Sequence, residues 1–355
     1  MYNHILVTGG AGFVGCALAL ALKQAGVGRT VTAFDNLRRR GSELNLRRLR
    51  EAEVAFVHGD VRSPEDLGSL AEPPGLIVEC SAEPSAQAGY GGSPEYLIHT
   101  NLLGCFHCLE LARKHRADFL LLSSSRVYPY ETINRLAFVE QETRYSLWGD
   151  QPVPGASEHG ISEQFPLEGA RSLYGMTKLA AELMVEEYAD AYGLRTIVNR
   201  CGLLTGPGQL AKSDQGVLAL WMAAHYFGRP LEYIGFGGTG KQVRDFLHIT
   251  DLAGLIMEQL RNWDTWRGRK LNIGGGVSRS LSLVECTGWC RGITGRSIPI
   301  TPNLQGRPAD PRIHISDTRE AEALTPWRPR RGAEETLRDI FEWIRSEEGA
   351  LRGIL

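Results

Sequence analysis

Val7-Thr8-Gly9-Gly10-Ala11-Gly12-Phe13-Val14-Gly15 follows a short apolar run, Ile5–Thr8, and leads into a helical pattern over Phe13–Ala25. Its glycines stand at a G-x-x-G-x-x-G spacing, and each has a mechanical reason. Gly9 permits the tight turn out of the strand, Gly12 lets backbone amides approach a pyrophosphate with no Cβ in the way, and Gly15 lets the helix pack closely on the strand. Twenty residues beyond Gly15, Asp35 follows the second predicted strand, Val31–Phe34. A carboxylate there accepts hydrogen bonds from the adenosine ribose hydroxyls and repels a 2′-phosphate. Arg38-Arg39-Arg40 pulls the other way, toward a phosphorylated ribose, unless it is a solvated loop. The acid sets the expectation of an NAD site built from Gly9, Gly12, Phe13, Val14, Asp35 and Asn36. Asp60 and Val61, after the third strand, are placed to reach the adenine, although an ordinary loop aspartate would read the same way.

Outward from this stretch, short β-rich runs alternate with longer helical patterns as far as Cys201. The predicted strands continue with Val54–Val57, Leu76–Glu79, Phe119–Ser123 and Arg195–Asn199. Between them fall helices near Ser42–Arg50, Pro64–Leu70, Pro94–Lys114 and Tyr174–Tyr192. That alternation defines an α/β fold, a Rossmann doubly wound parallel sheet. Beyond Cys201 the rhythm changes to a loop over Gly206–Lys212, helices at Gln215–Phe227 and Ile249–Asn262, and short strands near Tyr233 and Leu271–Ile273. Ser282–Ile293 and Ala333–Glu347 are the later helices. The expected division is a dinucleotide-binding domain over 1–204 with about 245–275, and a smaller mixed α/β C-terminal substrate lobe over 205–244 and 276–355.

Composition narrows the function classes. With 43% hydrophobic and 23% charged residues, the chain reads as ordinary globular protein. Its 39 Lys and Arg nearly balance 41 Asp and Glu, so no global field draws it to nucleic acid or an anionic membrane. Seven irregularly spaced cysteines point to reduced thiols and a cytoplasmic location. The apolar stretch Ile5–Leu22 is broken by glycines and lacks a basic leader, so it reads as strand, turn and helix. No run approaches the ~18 apolar residues of a membrane span.

Tyr174-Gly175-Met176-Thr177-Lys178 sets a tyrosine and a lysine one helical turn apart on the same face. A phenol ionises near pH ~10, too high for a general base at neutrality, and an ammonium beside it favours the phenolate. Any surface helix carries such a pair by chance, so context decides. Ser123-Ser124-Ser125 ends the fifth strand, at the sheet edge where ligands bind, although a serine run also caps turns. Taken together behind the glycine fingerprint, Ser124, Tyr174 and Lys178 form a proton relay beside a hydride carrier.

These motifs resemble the extended short-chain dehydrogenase/reductases, the superfamily of nucleotide-sugar epimerases and dehydratases, over nearly the whole chain. Within it, Phe34-Asp35-Asn36-Leu37, Glu142-Thr143-Arg144-Tyr145, Asp214-Gln215-Gly216, Gly240-Lys241-Gln242-Val243-Arg244-Asp245 and Asn272-Ile273-Gly274-Gly275 look more like the CDP-paratose 2-epimerase group. The resemblance implies bound NAD, a nucleotide-sugar substrate with a CDP-sugar favoured, and inversion of a carbinol by transient oxidation. It also implies a homodimer joined through the helices Pro94–Lys114 and Tyr174–Tyr192. On it, Arg244 and Arg307 clamp the pyrophosphate, and Gln215 and Lys241 border the substrate. Ser124, Ser125, Glu83, Arg126 and Asn199 complete the expected substrate-binding set.

Two departures matter. Dehydratases of the superfamily carry an acidic pair just after the catalytic hydroxyl residue, where this chain has Ser125-Arg126, and relatives often have histidine where it has Glu79. Other motifs are weaker. Gly235–Lys241 lacks the hydroxyl residue that ends a triphosphate-binding loop, Gln242 standing there instead. Cys105-Phe106-His107-Cys108 sits in an apolar helical pattern and, like Cys286 and Cys290, reads as core, with no metal expected. A net oxidoreductase on the same substrates, another 4-epimerase, and a noncatalytic NAD sensor remain as alternatives.

Overall fold

The strand order follows from the crossovers. In the computed structural model, which describes residues 1–212 and 215–355, β1 (Tyr2–Thr8), β2 (Gly28–Asp35), β3 (Ala55–His58), β4 (Leu76–Glu79) and β5 (Asp118–Ser124) pair in parallel with Thr196–Cys201 and Lys270–Ile273. Ser213 and Asp214 lie outside the described residues, so the Asp214-Gln215-Gly216 stretch is described only from Gln215. The seven strands run β3, β2, β1, β4, β5, Thr196–Cys201, Lys270–Ile273 across the sheet. The order reverses between β1 and β4, whose register pairs Thr8 with Glu79. The crevice outside those two carboxyl ends is where such sheets bind ligands.

Both faces of a parallel sheet must be covered, which is why its strands are apolar on both sides. On one face the helices Phe13–Gln24 and Ile249–Arg261 pack with Trp263 and Trp266. On the other lie the helix Leu173–Tyr192 and a continuous helical stretch, Glu95–Ile98, His99–Leu103 and Gly104–His115. The middle segment of that stretch is a π-turn, an insertion that often marks a functional position. Cys105 and Cys108 face this core.

The second lobe has its own core, formed by the helices Val217–Phe227, Leu283–Thr294 and Ala333–Ser346. A small sheet of Leu203–Thr205, Val243–His248, Ser280–Ser282 and Ile313–His314 joins it to the large one. The strand Val243–His248 spans the expected boundary at residue 245; after it the chain returns to the large sheet through Ile249–Arg261. No described helix is long and apolar enough to cross a membrane.

Candidate active site

At the switch point Gly9 adopts φ +59°, and a Cβ there would lie 3.0 Å from the Cys80 and Ser81 backbone. A Cβ on Gly15 would lie 2.1 Å from the Gly9 carbonyl oxygen. The following helix starts at Phe13 behind Gly12, and no side chain caps its first amides. This cradle fits a dinucleotide pyrophosphate, because backbone can approach it and the helix's positive end faces it.

Beside the cradle is a cleft lined by Gly9, Asp35, Asn36, Val61, Glu83 and Tyr96, among others. Asp35 accepts the Leu37 amide at 2.7 Å and the Ala11 amide at 3.1 Å. Burial pushes its carboxyl above the usual range, and those amides oppose the shift. Asp60 behaves differently. Burial works against its charge, but the Arg62 guanidinium and the Asn36 amide prevail and hold it at about 2. Its carboxylate takes Arg62 at 2.7 Å and Asn36 at 2.9 Å, so Val61, rather than the Asp60 carboxylate, lines the cleft.

Glu83, expected at the substrate, lines this cleft with Gly9 and Asp35. Its backbone is gripped by Asn101, which accepts the Glu83 amide at 2.8 Å and donates to the Glu83 carbonyl and to Thr177 Oγ1, each at 3.2 Å. The three arginines are engaged as well. Arg38 lies over the Tyr96 ring at 4.0 Å, Arg39 donates to Gln215 Oε1 at 2.7 Å, and Arg40 donates to the Gly353 carbonyl at 3.0 Å.

A second cavity, over the carboxyl ends of β5 and Thr196–Cys201, brings together Phe13, Val14, Ser124, Ser125, Tyr174 and Lys178. Ser124 ends β5 and its Oγ accepts the Arg126 amide at 3.2 Å, which fixes the turn. Ser172 caps the next helix by accepting the Gly175 amide at 3.1 Å. Gly175 is required here, since a Cβ would lie 2.1 Å from the Arg126 carbonyl oxygen. That close approach sets the Tyr174 turn directly on the Ser124 turn. Lys178, 3% exposed, donates to the Leu122 carbonyl at 2.9 Å.

Arg126, Gln215 and Arg244 line both this cavity and a third one. Arg244 pairs with Asp310 at 2.6 Å, and Arg126 stands 3.9 Å from the same carboxylate. Two guanidiniums thus share one acid, leaving positive charge at the throat. Burial and Arg244 pull the pKa of Arg126 below its usual value, with Asp310 opposing. Beyond the throat, the third cavity is lined by Arg307, Trp221, Glu232, Ile234 and Gln242. Gln242 donates to the Ile234 carbonyl at 3.2 Å, while its Oε1 is buried with no hydrogen-bond partner among the described residues.

Two expectations are corrected. Asn199 is fully buried and exchanges amide hydrogen bonds with Gln259 at 2.9 and 2.8 Å, because strand alternation turns it to the sheet face opposite Arg200. It lines neither of these two cavities. Lys241 pairs with Glu140 at 2.8 Å, and its neighbour Gln242 takes the cavity position. Gln242, Trp221 and Asp310 had been missed. Asp310, three residues after Arg307, offered the clearest signal, a carboxylate beside an expected anion clamp.

A reversed-order parallel sheet, a glycine cradle at its switch point and a Ser-Tyr-Lys cavity over its carboxyl edge define a dinucleotide-dependent enzyme of the doubly wound class. The chain belongs to the NAD dependent epimerase/dehydratase family, whose model matches residues 5–274, and NAD is the cofactor of that family. It is 30% identical over 352 residues to CDP-paratose 2-epimerase of Salmonella typhi, covering 96% of this chain and 99% of that one. It is 26% identical over 359 residues to dTDP-glucose 4,6-dehydratase of Mycolicibacterium smegmatis, covering 97% and 94%. Among solved structures, UDP-glucose 4-epimerase of Thermotoga maritima with UDP-glucose superposes with a TM-score of 0.77 at 26% identity, covering 97% of this chain and 99% of that one.

Proposed function

We propose that this enzyme is a nucleotide-sugar epimerase of the CDP-paratose 2-epimerase kind, inverting a sugar carbinol with no net redox change. The observation that carries the reading is the shared cavity of Ser124, Tyr174, Lys178 and the glycine-rich helix start, adjoining an arginine throat. NAD, when bound in the glycine cradle, supplies the hydride acceptor and donor. Tyr174 takes the proton of the sugar hydroxyl and returns it, Ser124 orients that oxygen, and Lys178 holds positive charge beside the phenol. Arg126, Arg244 and Arg307 grip the diphosphate as guanidinium forks suited to phosphate oxygens, so the sugar turns its other face without leaving. Ser125 and Arg126, standing where a dehydratase needs acids, favour inversion over loss of water.

For the base, Glu232 and the unpartnered Gln242 Oε1 offer acceptors. Acceptors suit the exocyclic amine of cytosine and oppose the O4 carbonyl of a uracil-type base. Calorimetry with CDP and UDP on the NAD-loaded protein tests this. CDP is expected to bind about tenfold tighter, a gap of about 1.4 kcal/mol, and tighter binding of UDP would remove the cytidine assignment.

A homodimer accompanies this reading. Leu103, Phe106, Met176, Leu183 and Tyr192 are exposed apolar residues on the two stretches Glu95–His115 and Leu173–Tyr192. Sedimentation is expected to give a dimer and Leu183→Glu a monomer; a monomeric wild type at tens of micromolar would exclude it. The seven cysteines are all free, which supports a reducing, cytoplasmic setting.

A further inference from the structure

A buried ion pair lies beside the catalytic turn. On the helix Leu173–Tyr192, Tyr174, Lys178 and Glu182 recur every fourth residue and share one face. Two turns of that face are tied to the two residues that precede Ser124: Lys178 Nζ donates to the Leu122 carbonyl at 2.9 Å, and Ser123 Oγ donates to Glu182 Oε1 at 2.5 Å. Arg200, from the neighbouring strand, closes the Glu182 carboxylate through Nε at 3.1 Å to both oxygens and through its terminal nitrogen at 2.8 Å. Its other arm donates to Tyr128 Oη at 3.0 Å, and Tyr128 donates onward to Asn272 Oδ1 at 2.8 Å. Ser123, Tyr128, Glu182 and Arg200 are all buried.

Such a pair is a poor source of net stability, since apolar side chains of similar volume often replace one without loss. What it does supply is register, because the carboxylate is saturated by donors from two strands and has a single arrangement. We propose that Ser123, Glu182 and Arg200 act together as positioning residues, the Ser123–Glu182 hydrogen bond tying the Tyr174–Lys178 face to the Ser124 turn so that phenol and serine meet the same sugar hydroxyl. The inference rests on the epimerase reading above.

The test measures turnover of CDP-, UDP-, dTDP- and GDP-linked hexoses, with melting temperature, KM and NADH affinity, for three variants. Ser123→Ala leaves the ion pair whole and is expected to lower kcat about tenfold; Glu182→Met combined with Arg200→Met is expected to lower it about 10²-fold. KM and NADH affinity stay within about twofold, and the deuterium isotope effect on kcat rises as misaligned hydride transfer becomes rate-limiting. Ser123→Thr, which keeps the hydroxyl, restores turnover. Should the paired variant fail to fold, Ser123→Ala decides. Wild-type kcat in a stably folded Ser123→Ala protein overturns the proposal, as does a loss in which KM and melting temperature change in step with kcat. A wild type inert on all four sugar classes overturns the epimerase reading, and this inference with it.

Discussion

Tyr174→Phe is expected to lower kcat by about 10²–10⁴-fold, the contribution of a positioned proton-transfer group. The phenyl ring keeps the packing of a side chain that is 9% exposed, so the melting temperature and NADH affinity should stay near wild type. The substitution removes only the phenol oxygen, which in the proposed mechanism takes the proton of the sugar hydroxyl. Because that transfer accompanies the chemical step, the loss should fall on kcat and leave KM nearly unchanged. Turnover within about threefold of wild type would show that another group carries the proton.

Gly15→Ala should abolish cofactor binding at micromolar NADH. The added Cβ would sit 2.1 Å from the Gly9 carbonyl oxygen, 2.7 Å from its carbon and 2.9 Å from Gly10 Cα. These are backbone atoms, so relief requires the whole turn to move away from the helix. Overpacking of this kind costs ~1–3 kcal/mol or more. Charged to the bound conformation, the upper value is about a 10²-fold loss of affinity. Fluorescence titration with NADH measures it, and an unchanged dissociation constant would mean that the pyrophosphate does not sit on this turn.

The large sheet was legible because its signals are local. Leu76–Glu79 and the glycine turn combine an apolar run with obligatory backbone freedom, and both read correctly from sequence alone. Val243–His248 was not read as a strand, since Arg244 and Asp245 interrupt its apolar alternation. Their polarity makes sense only once Asp310, His314 and the throat are assembled from distant segments. Local rules fail most often where side chains serve a site rather than a core. The misplacement of Asn199, in the strand Thr196–Cys201, has a different origin, strand parity. One residue's shift exchanges the two faces, and in a strand buried at every position nothing in the sequence fixes which face each polar residue takes. Asp60 shows a third limit, because its partner Arg62 is near in sequence yet equally compatible with an open loop.

The most direct measurement follows deuterium placed on the carbon that is inverted. Run in ordinary water on the NAD-loaded enzyme, the reaction should return product of opposite configuration with the label retained at that carbon, and no NADH should accumulate at 340 nm. Loss of the label to solvent, or net formation of NADH, would contradict hydride removal and return within one cavity.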